Sequence, residues 1–246
     1  MKQDKTAEIE QGERIAEYAD RLWGWDTPAG RLRAERRAEL LVREGRIEKG
    51  TDLLELGCGT GVFSLMLAET GANITAVDIS SDLLEKAKQK SSFGNIRFEL
   101  ADAEDLPFDK DSFDVIAGCT VLHHLELEPV LRQIKRVLRP NGKIVFAEPN
   151  MLNPQLLIQK NIPFIKRLMG DTPTETAFFK WVLHKQLKKY GFCDISVVPF
   201  DFLHPWTPSM AIPMVKRLGF WLESLPLMKE IAGSLLISAT LKQPEA

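Results

Sequence analysis

Leu53-Leu54-Glu55-Leu56-Gly57-Cys58-Gly59-Thr60-Gly61 is the stretch on which the fold turns. An apolar strand enters three glycines spaced two apart, and a helical stretch follows. Glycine accepts the sharp turn and leaves backbone N–H groups close to a ligand. Beyond it a second apolar run, Ile74-Thr75-Ala76-Val77, ends in Asp78. An acid at that place takes the two hydroxyls of a ribose. The first two strands are therefore expected to hold a nucleoside-bearing cofactor.

Strand and helix signals alternate outward from this point. Thr51–Leu56, Asn73–Val77, Ile96–Leu100, Phe113–Gly118 and Lys143–Ala147 read as strands one to five. Between them lie a helix over Val62–Glu69, one capped by Ser80 that runs to Lys90, and one over Glu126–Leu138. Pro140-Asn141-Gly142 reads as a turn before strand five. Repeated units of this length predict a parallel sheet covered on both faces. The pattern changes after Glu148-Pro149-Asn150. Residues 151–176 read as loop plus a short helix, and Phe178–Tyr190 as a helix that Gly191 ends. Cys193–Val198 and Ser234–Leu241 are the last strand candidates, separated by a long apolar helical section reaching Ile231. At the other end, residues 1–12 read as frayed, and 13–45 as helical with a break at Thr27-Pro28-Ala29-Gly30. Trp23 and Trp25 precede that break, either as packing anchors or as a flap over the ligand. Three segments follow: an N-terminal helical cap (1–45), a cofactor-binding core (46–150), and an acceptor-side region with the last two strands (151–246).

Composition sets the broad class. With 246 residues, 44% hydrophobic and 27% charged, the chain reads as an ordinary soluble globule. A formal net charge of -2 supplies no general field for nucleic acid, so no nucleic-acid partner is expected. Cys58, Cys119 and Cys193 are distant in sequence and odd in number, which predicts a reducing, cytoplasmic setting. The polar start, Met1-Lys2-Gln3-Asp4-Lys5, has no apolar secretory core, and no uncharged run reaches membrane-spanning length. The oligomeric state is left open.

The glycine turn also discriminates between cofactors. A dinucleotide turn of the form Gly-x-Gly-x-x-Gly fails at Val62 when read from Gly57, and at Ser64 when read from Gly59. Glu55 instead puts a negative charge where a pyrophosphate would lie, which suits a ligand bearing a cationic amine and a sulfonium. The ordered set Leu54–Gly61, Val77-Asp78, Ala101–Phe108, Phe113–Ile116, Leu122-His123-His124-Leu125 and Leu138–Lys143 resembles the class I S-adenosylmethionine-dependent methyltransferases. It is most similar to their type 11 branch, near the ubiquinone and menaquinone methyltransferases. The resemblance covers about residues 45–150. It implies a Rossmann-like fold: a seven-stranded, mostly parallel sheet with an antiparallel last strand and helices on both faces. It also implies roles. Gly57, Gly59 and Gly61 would wrap the methionine part of the cofactor, and Glu55 would orient its amine. Asp78, followed by Ile79, would hold the ribose. Asp102 and the Ala103 backbone would take adenine, and the Cys119 backbone would face the methionine moiety.

Methyl transfer from a sulfonium is an in-line displacement that needs alignment and exclusion of water, and a base only where the acceptor must lose a proton. His123 and His124, at the mouth of the sheet, are the candidate catalytic residues. His204 is a candidate for the acceptor pocket, and four scattered histidines do not make a metal site. Phe178, Phe179, Trp181, Phe200, Phe202, Trp206, Phe220 and Trp221 are either core under a lid or the wall for a small apolar or aromatic acceptor. Cys119-Thr120-Val121-Leu122 stands where amino-DNA and amino-protein methyltransferases carry Asn/Asp-Pro-Pro-aromatic, which disfavours those acceptors. RNA or protein methylation, and a non-catalytic cofactor-binding protein, stay open as alternatives. Carboxyl transfer would need a cation in the pocket, for which Arg31, Arg33 and Arg36 are available.

Overall fold

The computed structural model describes residues 5–168 and 176–243. Helices α1 (Lys5–Ile15), α2 (Ala19–Leu22) and α3 (Pro28–Gly45) precede the sheet. Then come β1 (Asp52–Leu56), α4 (Val62–Ala68), β2 (Asn73–Asp78), α5 (Ser81–Lys90), β3 (Ile96–Leu100), β4 (Phe113–Cys119), α6 (Leu127–Val137) and β5 (Leu138–Pro149). Helices α7 (Pro154–Asn161), α8 (Pro163–Leu168) and α9 (Lys180–Lys189) lead to β6 (Phe192–Phe200), and α10 (Ile212–Ser224) to β7 (Ser234–Leu241).

The seven strands lie in the order β3-β2-β1-β4-β5-β7-β6. The pairs from β3 through β5 are parallel, and β7 runs antiparallel to both β5 and β6. This is the Rossmann-like architecture expected from the motifs. Strand residues alternate between two cores, as the two-residue period requires. Leu53, Val115 and Val145 face Ala38 and Leu41 of α3 and Leu67 of α4. Leu54, Ile116 and Phe146 face Val130, Leu131 and Ile134 of α6 and Leu183 of α9. Fully burying one such Leu or Ile contributes about 1.5–3 kcal/mol. The order reverses at β1 and β4, so the crevice beyond their carboxyl ends is where a ligand binds.

Several local readings are corrected. Residues 5–15 form a helix rather than a frayed end, while residues 1–4 lie outside the described residues. A short helix is marginal alone and needs tertiary anchoring. Here a Cβ at Gly12 would stand 2.5 Å from Ser80 Oγ, so α1 lies directly on the start of α5. Lys5 Nζ also pairs with Asp102 at 2.5 Å and Glu104 at 2.9 Å. The break at 27–30 is the start of α3: Thr27 Oγ1 accepts the Gly30 N–H at 2.9 Å, and Pro28 opens the helix. The turn signal at Pro140-Asn141-Gly142 lies inside β5, where Asn141 takes φ +63° and the pairing with β4 shifts register between Phe113 and Val115. The described part of 151–176 holds two helices, not one, and 169–175 lie outside it. The apolar section before β7 breaks at Leu225-Pro226, leaving only a 3-10 turn at Met228–Ile231.

Candidate functional site

Strand β1 delivers the chain into the glycine turn. Gly57 adopts φ +62°, and a Cβ there would collide with the Val121 side chain. Only glycine lets the turn pass this close to the segment after β4. Gly59 N–H donates to Asp78 Oδ2 at 2.8 Å, and Ser80 N–H to Asp78 Oδ1 at 2.9 Å. Each carboxylate oxygen keeps capacity for a further donor. Burial raises the Asp78 pKa, with the backbone N–H bonds acting against it. Asp78 and Ile79 line the cavity together.

Two residues of the expected set stand behind that wall. Gly61 caps α4 at φ +81° and abuts Ala87, so its part is conformational. Glu55 is buried beneath the turn, where Ser64 Oγ donates to its Oε2 at 2.5 Å. Burial pushes its carboxyl up to about 7, against the lowering effect of the Ser64 bond. Below pH 4.5 the group is protonated in both the folded and the unfolded chain. Above that the unfolded chain ionises first, so stability falls as pH rises towards 7. The loss is on the order of 3 kcal/mol for this group. Chemical denaturation of the ligand-free protein at pH 5 and pH 8 should show it, and Glu55→Gln should remove about that much of the difference. An identical pH dependence in the variant contradicts the assignment.

After β3, Asp102 accepts the Glu104 N–H at 2.8 Å as well as Lys5. It lines the cavity beside Ala103. Arg136 of α6 holds this loop by donating to Leu106 O at 2.7 Å. Cys119 closes β4 at the cavity wall, and burial pushes its thiol up. Cys58 is likewise raised well above its usual value, first by burial, so it is a thiol rather than a nucleophilic thiolate.

The two histidines differ sharply. His123 is buried, and its Nδ1 lies 2.8 Å from Glu148 Oε2. Glu148 Oε1 in turn accepts the Val121 and Leu122 N–H groups, each at 2.9 Å. A carboxylate beside Nδ1 favours the tautomer protonated there and orients the ring. His124 sits against α1, its Nδ1 3.2 Å from Glu8 Oε2. The rings are 4.1 Å apart, and both line the cavity. Glu148 is the residue that sequence reasoning missed; its signal was an acid at the carboxyl end of strand five.

One cavity of about 530 Å³ joins these groups. Its size suits a small-molecule site. Trp23 of the N-terminal segment stands over Gly59, and Trp25 packs edge-on against Phe63 at 5.3 Å. Both tryptophans line the cavity, as do Phe202, His204 and Trp206, and Gly24 between the tryptophans abuts Pro205. Of the eight late aromatics, only Phe202 and Trp206 do so. Phe178 and Phe200 belong to the cores, Trp181, Phe220 and Trp221 are exposed, and Phe179 stacks on Trp181. His184 lies on the exposed face of α9. Among the described residues, no three His, Cys, Asp or Glu side chains converge as a metal site.

Residues 54–146 match the family model described as methyltransferase domain. A ubiquinone biosynthesis O-methyltransferase of Coxiella burnetii is 32% identical over 148 residues, covering 56% of this chain and 62% of that protein. A demethylmenaquinone methyltransferase of Clavibacter sepedonicus is 40% identical over 101 residues, 40% of this chain and 41% of that one. The chain thus spans less than two thirds of the length of these relatives. The fold resembles a possible histamine N-methyltransferase of Thermotoga maritima (TM-score 0.64, 19% identity, 95% and 99% of the two chains). It also resembles a structure titled as a complex of the Haloferax volcanii Trm112 methyltransferase activator with a putative methyltransferase (TM-score 0.70, 17% identity, 94% and 98%).

Proposed function

We propose that this chain, whose residues 54–146 match a methyltransferase-domain family model, is a class I S-adenosylmethionine-dependent methyltransferase that methylates a small apolar or aromatic metabolite. The observation that carries this function is one cavity lined in common by Asp78, Asp102, His123, Phe202 and Trp206. The donor set fits the cofactor. Asp78, Asp102, Glu104 and Glu8 line the cavity with Lys5 as the cation paired to Asp102 and Glu104, and this acidic excess favours a cationic ligand over a pyrophosphate. When bound, S-adenosylmethionine supplies a methyl group already activated for in-line displacement.

The chain's own residues do the rest. Asp78 accepts from the ribose hydroxyls, Asp102 and Ala103 flank the adenine, and the end of β4 at Cys119 faces the methionine part. His123 Nε2 takes the acceptor's proton, with Glu148 fixing the ring. Helix α1 and the two tryptophans cover the cavity and exclude water, which strengthens the charges inside. Among the described residues, no helix is long and apolar enough to cross a membrane. The three unpaired cysteines support a cytoplasmic location.

Incubation with methyl-labelled S-adenosylmethionine and a cell extract tests the proposal. Label should appear in low-molecular-weight, solvent-extractable products. Label recovered only in RNA or protein, or in nothing, contradicts it.

A further inference from the structure

Arg33 and Arg37 stand one helical turn apart on α3, and both line the cavity. Asp201, at the end of β6, receives both on one oxygen: Arg33 Nε at 2.9 Å and Arg37 Nη2 at 3.1 Å from Oδ2. Its other oxygen accepts the Leu203 N–H at 3.2 Å. Arg37 Nη2 also donates to Ser234 Oγ at 2.5 Å, and Nη1 lies 3.5 Å from Cys119 Sγ. Its Nε is buried with no hydrogen-bond partner. Among the described residues, Asp201 is the only carboxylate hydrogen-bonded to either arginine. Arg36 is different: Glu223 holds it fork to fork at 2.8 and 2.6 Å.

Two guanidinium groups therefore face one carboxylate, in a place where Arg37 is 2% exposed. A buried charge left unbalanced is costly, and an anion from a ligand relieves it. Burial first, and then the Arg37 charge, hold Arg33 below the usual guanidinium value. The Trp25 ring lies 6.0 Å from the Arg33 guanidinium and 5.7 Å from that of Arg37, and offers a platform for an aromatic or apolar body. Asp78, Asp102, Glu104 and Glu8, with Lys5, stand around β2, β3 and α1, whereas the two arginines, with Asp201 as their one carboxylate, sit over the ends of β4 and β6 and the start of β7.

We propose that Arg33 and Arg37 receive a carboxylate of the methyl acceptor, so that the acceptor is an apolar or aromatic acid. This rests on the methyltransferase reading. A guanidinium fork matches a carboxylate in two parallel hydrogen bonds and discriminates against its uncharged ester. The same chemistry has a second source, the amino-acid carboxylate of the cofactor, and the test separates the two.

Protein saturated with S-adenosylhomocysteine is titrated calorimetrically with hydroxybenzoate and hydroxycinnamate and with their methyl esters. The acids should bind about tenfold or more tighter than the esters. Arg33→Gln should abolish that preference, leave ester affinity unchanged and keep S-adenosylhomocysteine affinity within about twofold; Arg33→Lys should restore part of the preference. Equal affinity for acids and esters in the wild type, or no binding of any acid, overturns the proposal alone. So does a fall in S-adenosylhomocysteine affinity in Arg33→Gln with methylthioadenosine binding unchanged, because it assigns the arginines to the cofactor's carboxylate. Failure of the wild type to bind S-adenosylhomocysteine overturns the methyltransferase reading and this proposal with it. The melting temperature of each variant, matched to the wild type, keeps misfolding apart from lost recognition.

Discussion

Replacing His123 with alanine lowers methyl transfer by about 100- to 10,000-fold, the range expected for loss of a positioned general base. The cofactor's affinity stays near the wild-type value, because the cofactor's proposed contacts lie on Asp78, Asp102 and the glycine turn. The size of the effect rests on geometry. Glu148 is fully buried, spends one oxygen on the Val121 and Leu122 N–H groups, and has the other 2.8 Å from His123 Nδ1. Glu148→Gln separates orientation from charge. The amide keeps the shape but weakens support for a protonated ring, so kcat should fall with KM little changed, and the acidic limb of the pH profile should move. A His123→Ala enzyme with undiminished turnover removes the base from the account. His124→Ala should be far milder, since that ring meets the partly exposed Glu8 of α1 and lacks the hydrogen bond to Glu148 that holds His123.

Asp78→Ala should weaken cofactor binding by about 1–3 kcal/mol, roughly 5- to 150-fold, through the lost ribose hydrogen bonds. It should also destabilise the ligand-free protein, because the Gly59 and Ser80 N–H groups lose their acceptor in a buried setting. Asp78→Asn keeps an acceptor oxygen and should recover part of both losses. Calorimetric titration with S-adenosylhomocysteine reads the first effect and thermal melting the second. Unchanged affinity in Asp78→Ala contradicts the ribose assignment.

The placement of Gly57, Asp78 and Asp102 on one cavity was legible in the sequence because each stands at or just after the end of a strand whose apolar run marks it, and short motifs record such junctions. The acceptor half was not, because its walls are assembled from distant segments. Asp201 meets Arg33 and Arg37 across more than 160 positions. Sequence placed Arg31, Arg33 and Arg36 on equal terms; only Arg33 reaches the cavity, and Arg37, not singled out, is the most buried of the cluster. The late aromatics, open in sequence between core and cavity wall, divide among core, cavity wall and exposed surface for the same reason. Composition reports how many apolar rings a region holds, while the cavity takes Trp23, Trp25 and Phe63 together with only Phe202 and Trp206 of the late set. Helix α1 was missed because its stability comes from Ser80, Asp102 and Glu104, not from its own propensity.

The central claim is that the Asp78 end of the cavity binds S-adenosylmethionine. Isothermal titration of the folded wild-type protein with S-adenosylmethionine and with S-adenosylhomocysteine tests it most directly. Saturable one-site binding of both, with Kd of about 1–100 μM, corresponding to roughly 5–8 kcal/mol, is the predicted result. Absence of binding by folded protein, or equal binding of a dinucleotide whose pyrophosphate the acids should repel, contradicts it.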